Sequence, residues 1–241
     1  MQHLGLGFRV VIITIALVWI AFPGVGFAQE IRQVYVQGQG SIRVDPDLAY
    51  VNLGVVTQAP EADEAQTKNA INMRNILAAL GELGIKGEDI ETSYFNVYPV
   101  YRYSEEKGDQ ITGYRVSNTI SVMLRDLSKV GEVIDAAIKT GATNVNSVRF
   151  TLADEEPWRD KALTLAVENG RRKAGVMATA AGEKLGPIMV IRDPNTQFEP
   201  YYAGNEMMVK MVASSDRGMP TYIQPGKLEI KAIVEMVFAL E

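Results

Sequence analysis

The side chains most often used for nucleophilic, acid–base and metal chemistry are almost missing from this chain. It has no cysteine, and its one histidine is His3. Without a second imidazole or any thiol, neither a Ser-His-Asp nor a Cys-His arrangement can be assembled beyond that position, and neither can a zinc site of the usual ligands. Carboxylate, lysine or tyrosine chemistry stays formally open, but no motif points to it, and no catalytic, cofactor or metal residue is assigned. Three other groupings have the composition of a binding site. "GQGSIR" (Gly38–Arg43) has phosphate-loop glycines but lacks the third glycine and the helix start, so a bend between two strands is expected. Asp45 and Asp47 lack the glycine and glutamate of a calcium loop and read as a solvated turn. Met207, Met208, Met211 and Met219 could hold Cu(I) or form an oxidisable surface; packing or an interface is the preferred reading. "RRK" (Arg171–Lys173) reads as the solvated face of a helix.

The aromatic stretch 94–124 is the richest candidate. It carries half of the ten tyrosines, interleaved with Arg102 and Arg115, and so could stack bases or sugars. Strand parity divides it. Tyr94, Tyr98 and Val100 share one face, while Phe95, Val97, Tyr101 and Tyr103 share the other. A stacking platform would gather its rings on one face. Core packing plus contact with another subunit is therefore the preferred account, and a small apolar, aromatic or glycan ligand is the alternative. The candidate surface comprises Tyr94, Phe95, Tyr98, Tyr101 and Tyr103, with Tyr201, Tyr202, Met207, Met208 and Met211 from a later segment.

The N-terminus bounds where such a surface would work. Val10–Phe22 is an apolar run behind Arg9, followed by Pro23-Gly24 and by Gly26 and Ala28 at the −3 and −1 positions. That is the layout of a secretory signal, with cleavage expected after Ala28 and a periplasmic or otherwise exported product. An uncleaved leader would be the only route to the membrane. Removing residues 1–28 takes the 24 basic residues to 23 against 29 acidic ones, a net charge of −6. An acidic protein gains nothing from counterion release on a polyanion, so nucleic acid is excluded as a main partner.

The elements that must position these residues follow from periodicity. Ala62, Ala65, Met73, Ile76, Leu77, Leu80 and Leu83 make the stripe of a helix that starts near Pro60 and is capped by Gly84. Val130, Val133, Ile134, Ala137 and Ile138 make a shorter helix ending at Gly141. A long helix starts by Asp154, has Pro157 in its first turn, and runs through Trp158, Ala162, Leu165, Ala166, Met177 and Ala180 to Gly182. Alternation marks strands at 48–56, 94–103, 114–125, 148–152 and 228–240, and "IMVIR" adds another. The order is β-β-α-β-β-α-β-α-β-β. Residues 48–125 and 145–240 each read β-α-β-β, which predicts an α+β fold of two such units, with mainly antiparallel sheets and helices packed on one face. Residues 29–241 are expected to form one domain, interrupted by a Met-, Pro- and Gly-rich insertion at 194–225.

Four segments, taken together and in order, resemble the SIMPL (DUF541) family: "VYVQGQGSIRVDPDLAYVNLGVVTQAPEADEAQTKNA", "LGIKGEDIETSYFNVYPVY", "ITGYRVSNTISVMLRDLSKVGEVIDAAIKTGATNVNSVRFTLAD" and "IQPGKLEIKAIVEMVFAL". The resemblance implies an exported α+β domain that self-assembles and serves the cell envelope, often in resistance to oxidative stress. It implies no catalytic residues. The expectation is a non-enzymatic homo-oligomer, with a small-ligand or glycan module as the alternative.

Overall fold

The computed structural model describes residues 32–105, 108–194 and 220–241. The leader, its cleavage site, Tyr201, Tyr202, Met207, Met208, Met211 and Met219 lie outside the described residues. The element order is β1 (Gln33–Val44), β2 (Leu48–Ala59), α1 (Ala62–Glu82), β3 (Ile90–Ser104), β4 (Gly108–Leu124), α2 (Val130–Thr140), β5 (Asn144–Thr151), α3 (Glu156–Ala180), β6 (Leu185–Arg192) and β7 (Leu228–Leu240). It is the order that periodicity predicts, and the fold is α+β.

Two antiparallel sheets result. The larger has the order β3-β4-β2-β5 and the smaller β1-β7-β6. Both contain the same motif. In β2-α1-β3-β4 the first strand pairs with the last, and the last with the third. The set β1, α3, β6, β7 repeats that pairing. The duplicated architecture is therefore present, with one change of membership. β5, which precedes α3 in sequence, covers the free edge of β2, and β1 takes the place of first strand in the smaller sheet.

Each sheet has its own core. α1 and α2 cover the larger sheet, where Val51, Leu53, Val55, Ile76, Leu80, Ile120, Val122, Val133 and Phe150 are buried together. α3 covers the smaller one over Val34, Val36, Ile230, Val234, Met236 and Phe238. The last strand buries the alternating set from Leu228 to Phe238, as its period of two requires. Burying the ~150–250 Å² that one Phe150-sized ring carries contributes several kcal/mol at ~25 cal/mol per Å².

α3 docks differently from the apolar stripe expected of it. Its buried residues are Ala162, Ala166, Gly170, Ala174 and Ala178, a strict i+4 line of small side chains, whereas Leu165 and Met177 are exposed. The reason lies in β1. Gly38 and Gly40 form no bend; they sit inside the strand on its helix face. A β-carbon on Gly38 would fall 2.1 Å from the Ala166 carbonyl oxygen, and one on Gly40 2.1 Å from that of Ala162. Helix backbone rests on strand backbone, so large residues are displaced to the margins. Leu77 on α1 and Ile138 on α2 are likewise exposed.

A polar seam interrupts the first core. Asn69, at a stripe position of α1, is buried, and its amide donates to the carbonyls of Val55 (2.9 Å) and Val116 (3.4 Å). Beside it the Thr57 hydroxyl donates to the Ala65 carbonyl at 2.7 Å.

The two sheets are tied through their connections. The Ala153 amide donates to the Asp47 carboxylate at 2.7 Å, and the Asp47 amide to the Thr151 carbonyl at 3.2 Å. Asp47, read from sequence as part of a solvated turn, thus joins the two crossovers. Asp45 pairs with Lys227 at 3.6 Å. Further on, Thr221 donates both its amide (2.9 Å) and its hydroxyl (2.5 Å) to Asp135 on α2.

Candidate functional site

Two surfaces stand out among the described residues. The first is the edge strand β3. It pairs only with β4, and no described strand lies along its other edge. Register places Tyr94 opposite Thr119 and Tyr98 opposite Arg115, facing away from the helices, with Phe95 opposite Asn118 and Val97 opposite Val116 on the helix side. The parity read from sequence holds. Both faces are accessible nonetheless: Tyr94 is 50% exposed, Phe95 51%, Tyr101 58% and Tyr103 72%. Core packing is therefore not what these rings do. The Arg115 guanidinium lies 5.9 Å from the Tyr98 ring centroid. Hydrogen bonding to Ser117, then to Arg115, holds the Tyr98 hydroxyl below the usual phenol range.

A long apolar edge strand is an invitation to strand pairing unless it is covered. This molecule covers one of its other edges. On β1, the Gln39 amide donates to the Asn169 side chain at 3.2 Å, and Lys173 donates to the Gln37 carbonyl at 2.9 Å. Asn169 and Lys173 are one turn apart on α3, so a single helix face closes two edge groups. "RRK" was read as solvated helix surface; its Lys173 does this instead.

The second surface lies on the face of the larger sheet away from the helices, and the sequence reading missed it. One rung of register runs across all four strands as Tyr94, Thr119, Gly54 and Asn144. Gly54 leaves the middle of the rung without a side chain. A depression of about 400 Å³ lies there, lined by Asn52, Val56, Ser93, Tyr94, Ser117, Thr119, Asn144 and Asn146. Two of these residues are there because of β-bulges. Ser93 is the extra residue of β3 between the Thr92–Ile120 and Tyr94–Thr119 pairs. Asn146 is the extra residue of β5 between the Ser147–Asn52 and Val145–Leu53 pairs. The side chains form a network. Asn146 donates to the Thr119 hydroxyl (3.2 Å) and accepts from Asn144, while Asn52 donates to the Ser147 hydroxyl (2.8 Å). The signal available in sequence was the polar parity of Ser117, Thr119 and Ser121 together with "NVNS" (Asn144–Ser147).

A larger depression, about 620 Å³, lies on the open face of the smaller sheet between Tyr35, Met189, Arg192 and Glu235. It offers a mixture of charges with no shared chemistry. Among the described residues no three His, Cys, Asp or Glu side chains come together as a metal site requires. None of the described helices is long and apolar enough to cross a membrane.

Two antiparallel sheets, each covered on one face by helices, make this an α+β protein. The comparisons agree on the family. The SIMPL family, described as "Protein of unknown function (DUF541)", matches residues 34–238, and the chain belongs to it. It is similar to the "26 kDa periplasmic immunogenic protein" of Brucella melitensis, 31% identical over 92% of each chain. It is also similar to the "Uncharacterized protein YggE" of Escherichia coli K12, 27% identical over 86% of this chain and 83% of the relative. A vertebrate relative is the "Interleukin-1 receptor-associated kinase 1-binding protein 1 homolog" of Xenopus laevis, 24% identical over 67% of this chain and 63% of the relative.

Proposed function

We propose that this protein is an exported, non-enzymatic component of the cell envelope that assembles with copies of itself through the free edge of β3. The observation that carries the reading is the contrast between two edges. β1 has two of its edge groups, the Gln39 amide and the Gln37 carbonyl, closed by Asn169 and Lys173. β3 is 15 residues long, apolar on both faces and exposed from Tyr94 to Val97. Strand addition would satisfy its edge and bury Phe95 and Val97 together. Pro99 lacks a donor and limits the pairing region to the part of β3 that precedes it. The apolar run Val10–Phe22 and the periplasmic name of the Brucella relative support export.

Light scattering on the purified protein tests the assembly. A particle of several subunits is expected, and Phe95→Lys with Val97→Lys should reduce its mass towards that of one chain. A strict monomer at micromolar concentration would refute the reading.

The envelope role includes defence against oxidants, with Met207, Met208 and Met211 as sacrificial thioethers. Replacing the three by leucine should then lower survival under peroxide; unchanged survival removes that role and leaves the assembly standing.

A further inference from the structure

The depression over Gly54 combines features that self-assembly through the β3 edge does not use. Two bulges, on strands at opposite sides of the sheet, re-aim Ser93 and Asn146 into the same hollow. A bulge leaves a residue unpaired and disrupts the ladder, and bulges concentrate beside functional sites. Here they converge on Thr119, the residue on the rung beside Gly54: Asn146 donates to its hydroxyl and the Ser93 hydroxyl to its carbonyl at 3.3 Å. Gly54 makes room for the Asn144 side chain in that lining: a β-carbon there would lie 2.5 Å from the Asn144 amide nitrogen and push it away.

The lining selects the ligand class. Among the described residues every polar group in it is a neutral carboxamide or hydroxyl: Asn52, Ser93, Ser117, Thr119, Asn144 and Asn146. A charged ligand would find no counter-charge in it. An apolar ligand would strip water from amides and hydroxyls without replacing the hydrogen bonds, at about 1–3 kcal/mol for each group left unpaired. Groups that both donate and accept match a ligand that does the same, which is the property of sugar hydroxyls. The half-exposed Tyr94 is part of the lining and adds an aromatic ring against which the C–H side of a sugar can pack. The volume falls at the small end of ligand sites, ~300–1,000 Å³, so the occupant is short.

We infer that the face of the larger sheet opposite the helices is a binding site for an uncharged saccharide, centred on Thr119 and Asn146. The site does not depend on the assembly reading, because the β3 edge pairs through main-chain groups and the saccharide is held by side chains of all four strands.

Calorimetry on the purified protein with chitotriose and maltotriose, and with trigalacturonate as the charged comparison, tests it. Hydrogen exchange read by mass spectrometry locates the contact. The expected result is that at least one neutral trisaccharide binds and protects the peptides around Ser93, Thr119 and Asn146. Asn146→Ala and Thr119→Val should each weaken binding about tenfold, the loss of roughly one good hydrogen bond. Gln58→Ala, on the same face outside the depression, should leave it unchanged. Four outcomes overturn the inference: no heat with either neutral sugar at about 10 mM, tighter binding of the uronate, binding indifferent to Asn146→Ala, or protection of this face that rises with protein concentration alone. The last would assign the face to contact between copies. Circular dichroism of each variant confirms that the fold is retained.

Discussion

Gly38 lies directly against Ala166: a β-carbon on the glycine would sit 2.1 Å from the alanine's carbonyl oxygen. Strand and helix meet there backbone to backbone, and neither can retreat without opening the core that Met236 fills over Gly170. Gly38→Ala should therefore destabilise the protein by about 1–3 kcal/mol, the usual cost of overpacking, seen as a lower melting temperature. Gly81→Ala provides the contrast. Gly81 is helical, exposed and has open space around its α-carbon, so alanine should stabilise by about 0.5–1 kcal/mol. Equal effects at both positions would contradict the close-approach account.

Asn69 should be more sensitive than its polarity implies. Its amide satisfies sheet carbonyls inside a core, so Asn69→Ala leaves the Val55 carbonyl without that donor and opens a cavity. A loss of about 1–3 kcal/mol is expected in chemical denaturation. Asn69→Leu restores volume but not the donor, and should not recover the loss.

The closed edge of β1 gives a prediction in the opposite direction from that for β3. Asn169→Ala with Lys173→Ala exposes the Gln39 amide and the Gln37 carbonyl to solvent. Stability should fall only slightly, because water replaces both partners, by about 0.5–1.5 kcal/mol per bond at most. Association should rise instead, as larger particles in light scattering at the same concentration.

Asp126 supplies a pH signature. Hydrogen bonds from the Ser128 hydroxyl and then its backbone amide hold the carboxyl below its ordinary value. A folded value depressed below the unfolded one means the carboxylate stabilises the fold fully above the unfolded pKa of about 3.9. The contribution is lost as pH falls through the lower folded value. An NMR titration should place the Asp126 midpoint below the usual aspartate range, and Ser128→Ala should move it back up. A midpoint unmoved by that substitution would show that Ser128 is not the cause.

Much of the fold was legible because its signals are local. The period of two in Leu228–Phe238 and the polar parity of Ser117, Thr119 and Ser121 are properties of one strand, whatever it pairs with. Among the described residues, α1, α2 and α3 end at the glycines that the chain places there, Gly84, Gly141 and Gly182, each with positive φ. The helix stripes were less accurate. Weighting large apolar residues favoured Leu165 and Met177, whereas α3 docks by Ala162, Ala166, Gly170, Ala174 and Ala178. The fault has one origin: the stripe that packs depends on what the helix meets, and here it meets the glycines of β1.

The candidate surfaces divide in the same way. The two-faced character of Tyr94–Tyr103 was visible, but its exposure was not, since burial depends on whether another strand lies alongside. The Gly54 depression was invisible, because its lining comes from four strands and its shape from two bulges, at Ser93 and Asn146, that only pairing creates. By itself the sequence determined the order of helices and strands, the alternation within single strands such as Leu228–Phe238, and the lack of cysteine and of any histidine beyond His3. Each follows from residue type and short-range spacing. Only the tertiary structure decided that β1 replaces β5 in the smaller sheet, that α3 rests on bare backbone, that one edge is closed and another open, and that a neutral hollow lies over Gly54. Those are contacts between residues far apart in the chain, and local periodicity carries no record of which distant partner a strand or helix will meet.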